Sequence, residues 1–150
     1  METLIIRHKK ENLAKCSLRG LENREDLRFI RYPFASLPPL DRYLLLVMED
    51  APLLSMEDAE EGLLFLDSTW RYLPKMLAAV DAQGPVRKRV LPAGYRTAYP
   101  RRQEDCVDPA RGLSTLEALY IAFRLTGRPT EGLLDHYHWK EKFLELNNFS

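Results

Sequence analysis

The sequence predicts an α/β domain, a mostly parallel sheet with helices on both faces. Three observations predict it. Two unbroken apolar runs of strand length, residues 43–48 (YLLLVM) and 63–66 (LLFL), suit strands buried on both sides. Helical patterns of apolar residues follow them toward the C-terminus. Glycine and proline punctuate the junctions, so strands and helices alternate.

Residues 4–7 and 27–32 read as short strands, and Pro33, Pro38 and Pro39 then break the chain into a loop. Residues 43–48 form the first fully buried strand. Residues 52–61 are a connector with a short helix at 55–61. Gly62 precedes the second buried strand, 63–66. Asp67 and Ser68 follow at once, and a helical pattern runs to about Val80, with Pro74 near its first turn where proline is tolerated. Residues 89–91 predict a third core strand, ended by Pro92. The polar, basic, proline-containing stretch 93–112 reads as a long functional loop. Residues 113–125 predict a strong helix, opened by Ser114 and closed by Gly127. Residues 131–147 predict a second helix with an aromatic face. Ligands of such folds bind at the carboxyl ends of the strands. If the three core strands are neighbours, Met48, Asp67 and Leu91 share that rim.

A chain of 150 residues with 45% hydrophobic content suits one domain with a real core. No apolar run approaches the length of a membrane span. The start, METLIIRHKKENLAK, has too short an apolar block for a secretory signal, so a cytoplasmic protein is expected. Cys16 and Cys106 then read as reduced thiols.

The formal net charge is zero, but the charges are segregated. Residues 41–66 hold seven acidic side chains against Arg42 alone. Residues 84–112 hold seven basic ones (Arg87, Lys88, Arg89, Arg96, Arg101, Arg102, Arg111) against Glu104, Asp105 and Asp108. Such a segment can hold RNA phosphates on one face. It can equally be a solvated loop.

Three constellations bear on chemistry. In Asp67-Ser68-Thr69-Trp70 a carboxylate closes a buried strand at the rim, where it can act as a base. Trp70, three residues on, can wall the same space. The plain alternative is that Asp67 or Ser68 caps a helix and Trp70 fills the core. In residues 112–118, Ser114 and Glu117 fit a capping box, and the helix start can also offer backbone N–H donors to a ligand carboxylate. In residues 95–102, arginines interleaved with tyrosines suit phosphate contact and base stacking. His8, His136 and His138 lack zinc-like spacing with the cysteines, so no metal site is expected. There is no P-loop or dinucleotide glycine fingerprint, and Ser68 and Ser114 lack a hydrolase nucleophile elbow.

Taken in order, four segments resemble a known superfamily. RHKKENLAKCSLRGL is similar to its N-terminal segment around Lys-x-Cys. YLLLVMEDAPLLSMEDAEEGLLFLDSTW resembles its strand, turn, strand and Asp-x-[Ser/Thr]-Trp pattern. GLSTLEALYIAFRLTG is the most specific match, and LLDHYHWKEKFLELN resembles a C-terminal Trp…Phe-x-x-x-Asn helix. The superfamily, TDD, joins the small-subunit rRNA aminocarboxypropyltransferases of ribosome biogenesis to the DTW-domain proteins that modify tRNA. Met48 and Met56 stand where the rRNA branch has proline. Its Asn-Pro-x-Asn-Tyr-Gly stretch is replaced by residues 89–96, which are more DTW-like.

The resemblance implies one SPOUT-like domain over residues 1–150, with 1–40 as an N-terminal segment and 41–150 as a cofactor-binding core ending in a trefoil knot. Periodicity alone does not indicate a knot. It implies S-adenosylmethionine as cofactor, held by Leu46, Met48, Trp70, Leu91, Pro92, Leu113, Ser114, Thr115, Glu117 and Ala118. It implies Asp67 as catalytic base for transfer of the 3-amino-3-carboxypropyl group to a uridine ring nitrogen of rRNA or tRNA. Arg71, Lys75, Arg96, Arg101 and Arg102 are the expected RNA contacts, and a monomer is expected. Two rivals are a SPOUT-type RNA methyltransferase and a non-catalytic RNA-binding module of ribosome assembly. Product mass separates the first from the transferase, and cofactor titration separates the second.

Overall fold

A computed structural model of the chain describes residues 2–10, 17–48, 50–68, 71–98 and 113–149. Five strands, β1 (Thr3–His8), β2 (Leu27–Tyr32), β3 (Tyr43–Val47), β4 (Gly62–Asp67) and β5 (Arg87–Val90), form one sheet in the order β2-β1-β4-β3-β5. All four pairings are parallel. Helices α1 (Leu73–Ala82), α2 (Thr115–Leu125) and α3 (Lys140–Leu146) complete the fold, with a 3-10 turn at Met56–Asp58.

Side chains alternate across a strand, so an unbroken apolar run feeds two cores. Ile5, Leu44, Leu63 and Phe65 join Leu119, Phe123 and Phe143 on one face. Leu4, Ile6, Leu45 and Leu64 pack with Met76 and Val80 of α1 on the other. The runs predicted to be buried on both sides therefore are, since Leu44, Leu45, Leu63 and Leu64 are all wholly inaccessible. Burial of each such leucine contributes about 2 kcal/mol. A charge at Leu45 would leave an unpaired ion between α1 and the sheet.

Three expectations need correction. β5 is an edge strand, paired with β3 and bridged beyond it only at Val90 to Leu53, and none of its residues is fully buried. Its sequence, RKRV, carries too much charge for the interior. α1 starts at Leu73, with Tyr72 in the cap position, so neither Asp67 nor Ser68 caps it. Pro74 fixes that start, because it fits only the first positions of a helix. The predicted helix 131–147 is helical only from Lys140. Before it the chain makes successive tight turns (Leu133 N–H to Thr130 O, Asp135 N–H to Gly132 O, Tyr137 N–H to Leu134 O). Gly132 has φ +80°, a value a right-handed helix does not accommodate.

α2 is as predicted. Ser114 is its N-cap and Gly127, at φ +71°, lies just past its end. There the Arg128 N–H reaches the Phe123 carbonyl at 2.8 Å, closing a Schellman turn.

Candidate functional site

β4, β3 and β5 are neighbours, so Asp67, Met48 and Leu91 do share the carboxyl rim. Asp67 ends β4 and is only 3% exposed. The sheet register places Arg7 of β1 beside it. Arg7 Nε donates to Asp67 Oδ2 at 3.2 Å, and Thr115 Oγ1 donates to Oδ1 at 2.9 Å. The strand end and the first residue of α2 are thus tied through one carboxylate. Arg7 is held in turn by Glu22 at 3.3 Å, and its guanidinium lies over the Phe29 ring at 4.6 Å.

The start of α2 is a built structure. Ser114 Oγ accepts from the Glu117 N–H, and the Glu117 carboxylate accepts from the Ser114 N–H at 2.8 Å, completing the predicted capping box. Glu117 also accepts from Thr97 Oγ1 (2.6 Å), the Ala98 N–H (2.7 Å) and the Tyr137 hydroxyl (3.0 Å). It is wholly inaccessible. One buried carboxylate therefore joins the helix start, the loop after β5 and the segment before α3. The Leu116 N–H goes to Ser17 Oγ at 3.3 Å. The N–H groups of Leu116 and Glu117, offered by the sequence to a ligand carboxylate, are taken by the protein's own hydroxyls.

The loop after β5 is gripped a second time. Asn147 accepts from the Arg96 N–H at 2.7 Å and donates to the Arg96 carbonyl at 2.9 Å, as a neighbouring strand would. Arg96 thus has its backbone locked beside Thr97 and Ala98, which Glu117 holds.

The remaining predicted cofactor residues form an apolar border. Leu46, Leu91, Leu113 and Ala118 are partly buried against the α2-side core, and Pro92 is half-buried beside them. Met48 is 68% exposed, and Leu53, bridged to Val90, is 59% exposed. Incompletely covered apolar side chains at strand ends fit a ligand with an apolar face. Trp70, Arg101 and Arg102 lie outside the described residues, as do Cys16 and Cys106. Arg71 and Lys75 are exposed at the start of α1, on the opposite face from α2.

The β5 part of the basic segment is less available than its composition suggests. Arg87 pairs with Glu61 at 2.9 Å, Arg89 with Asp58 at 3.4 Å and Lys88 with Asp81 at 3.9 Å. Two of these partners come from the acidic stretch, so the opposed charge runs in part neutralise each other. Among the described residues, no group of three His, Cys, Asp or Glu converges as metal ligands would. None of their helices is long and apolar enough to cross a membrane.

Sequence reasoning missed Arg7, Ser17, Thr97, Tyr137 and the clamp by Asn147. Only Asn147 had a signal, as the last residue of the Phe-x-x-x-Asn pattern. The others are joined to the site by pairings distant in sequence, such as Arg7 with Asp67.

No protein-family model matches the chain, and no curated protein matches it. Among solved structures it is similar to that of the SAM-dependent rRNA:acp-transferase Tsr3 from Vulcanisaeta distributa. The TM-score is 0.66 at 22% identity, covering 98% of this chain and 79% of that one. At that identity the likeness is one of fold: the five-stranded parallel sheet and its helices follow the architecture of that transferase.

Proposed function

We propose that the chain transfers the 3-amino-3-carboxypropyl group of S-adenosylmethionine to a uridine ring nitrogen in rRNA or tRNA. One observation carries the reading. Asp67, at the carboxyl end of β4, is tied to Thr115 at the start of α2, beside the apolar border of Leu46, Met48, Leu91, Pro92 and Leu113, in a chain whose fold is similar to that of an rRNA:acp-transferase. The resemblance of the sequence motifs to the TDD superfamily supports the same chemistry. Residues 41–150 would be the cofactor core, with the C-terminal segment knotted as in SPOUT proteins.

Leu46, Met48, Leu91, Pro92 and Leu113 would hold the apolar parts of the cofactor, with Trp70 completing the wall. When bound, S-adenosylmethionine supplies an electrophilic carbon and a sulfonium leaving group. The protein's contribution is chiefly orientation. Asp67 accepts the proton of the uracil imide, while Arg7 keeps its carboxylate oriented. Thr115 fixes the other oxygen. Glu117 contributes from behind, by holding Ser114, Thr97 and Ala98 in place.

Asp67→Asn tests this, because it keeps the shape and the Thr115 bond. Transfer to RNA should fall by about a hundredfold or more, the usual worth of a general base. Affinity for S-adenosylmethionine, measured calorimetrically, should stay the same. Unchanged turnover would remove Asp67 from the chemistry. A product heavier by a methyl group alone would replace the reading with RNA methylation.

A further inference from the structure

The carboxyl edge carries a second feature, on the other side of β1. His8 and Tyr32 are paired at the ends of β1 and β2. The His8 ring stacks on Tyr72 (centroids 4.2 Å apart, 15° between planes) and on Tyr32 (5.2 Å, 29°). Tyr32 meets Phe34 edge-on at 6.0 Å. The chain after β1 folds back over this stack. The Lys10 N–H donates to His8 Nδ1 at 3.0 Å, the Lys9 N–H donates to the Tyr32 carbonyl at 3.0 Å, and Lys10 Nζ lies over the Tyr72 ring at 5.6 Å.

Four exposed cations lie around the stack: Lys9 and Lys10 just past β1, Arg71, and Lys75 in the first turn of α1. No acidic side chain among the described residues forms an ion pair with any of them. The nearby carboxylates of Asp67 and Glu22 are both engaged by Arg7. This is the reverse of β5, where Arg87, Lys88 and Arg89 all have acidic partners. Uncommitted cations around partly exposed aromatic rings match single-stranded RNA, which offers phosphates and unstacked bases together. The stack and Asp67 lie at the carboxyl ends of the neighbouring strands β1 and β4, on opposite faces of the sheet.

We infer that this edge, formed by Tyr32 and Tyr72 with Lys9, Lys10, Arg71 and Lys75, is the docking surface for the single-stranded RNA that is modified. The inference rests on the proposed transferase reading for its substrate. It extends the RNA contacts expected at Arg71 and Lys75 to the carboxyl ends of β1 and β2.

The test compares two double variants with equal change of charge. Lys10→Glu with Lys75→Glu alters the patch. Arg28→Glu with Arg42→Glu alters exposed arginines toward the amino ends of β2 and β3. The probe is a short fluorescein-labelled oligouridylate, its affinity read by anisotropy over a salt series. The patch variant should bind about tenfold or more weakly, and its log–log salt slope should shrink by about 0.7 for each phosphate the protein no longer neutralises. The amino-end variant should stay near wild type. Equal losses in both variants, or no loss in the patch variant, would overturn the inference. Titration of S-adenosylmethionine into the same proteins separates the two claims. If wild type binds no cofactor while the patch variant still loses RNA, the transferase reading falls and the docking surface stands.

Discussion

Replacing Glu117 by glutamine changes one oxygen to an amide nitrogen and tests how much of the site is held from behind. Oε1 accepts from Thr97 Oγ1 and the Ser114 N–H, and Oε2 accepts from the Ala98 N–H and the Tyr137 hydroxyl. In either rotamer of a glutamine, the NH2 group faces one hydroxyl and one backbone N–H. The hydroxyl can rotate and accept, but the backbone N–H cannot. One buried amide, at Ser114 or Ala98, is then left facing another donor. A hydrogen bond to a charged acceptor contributes about 1.5–3 kcal/mol, and an orphaned buried donor costs about 1–3 kcal/mol. The surviving bonds also lose their charge assistance. Glu117→Gln should therefore destabilise the fold by about 3 kcal/mol, read as a lower urea midpoint at unchanged slope. Thr97→Val, which removes one donor and leaves the carboxylate three, should cost about 1 kcal/mol. A Glu117→Gln loss below about 1 kcal/mol would refute the four-donor arrangement.

Asn147→Ala should remove both bonds to the Arg96 backbone, at a cost of about 1–2 kcal/mol. Exchange of the Arg96 amide proton, followed by NMR, should quicken by about tenfold, 1.4 kcal/mol being a factor of ten; unchanged exchange would mean the clamp is not formed. His8 gives a pH dependence. Burial disfavours its charged form, and Lys10 and Lys9 add to that, so its pKa lies below the ordinary 6.5. The folded state then binds this proton less readily than the unfolded chain. The stabilisation is fully present above pH 6.5 and is lost as pH falls from there through the lowered folded value. His8→Phe, which retains an aromatic ring in the stack, should flatten the decline of Tm over that window. An equally steep decline in the variant would assign it to other groups.

Local rules made much of the fold legible. The alternation of Leu44 with Leu45, and of Leu63 with Leu64, is enough to specify strands covered on both sides. The Ser114–Glu117 spacing and Gly127 bound α2 almost to the residue. Pairing partners distant in sequence were not legible. The charge of RKRV marks β5 as unfit for the interior, but nothing in it states that its cations meet Asp58, Glu61 and Asp81. The buried residues before α3 have a helical look, yet Leu133, Leu134 and Tyr137 are buried from a chain of tight turns. At the site, Asp67 was visible as the end of a buried strand, but its partners Arg7 and Thr115 come from 60 positions before it and 48 after it. Glu117 was visible as a cap, while three of its four donors depend on tertiary structure.

The position of β1 inside the sheet, between β2 and β4, has a consequence for synthesis. Translation produces β1 first and β2 soon after, and these two can zip together early. The opposite edge of β1 must wait until β4 has left the ribosome, so a nascent chain exposes unpaired amide and carbonyl groups along a strand whose Leu4, Ile5 and Ile6 are wholly buried in the folded protein. Stalling before residue 67 should leave a chaperone client, and completing β4 should end that dependence.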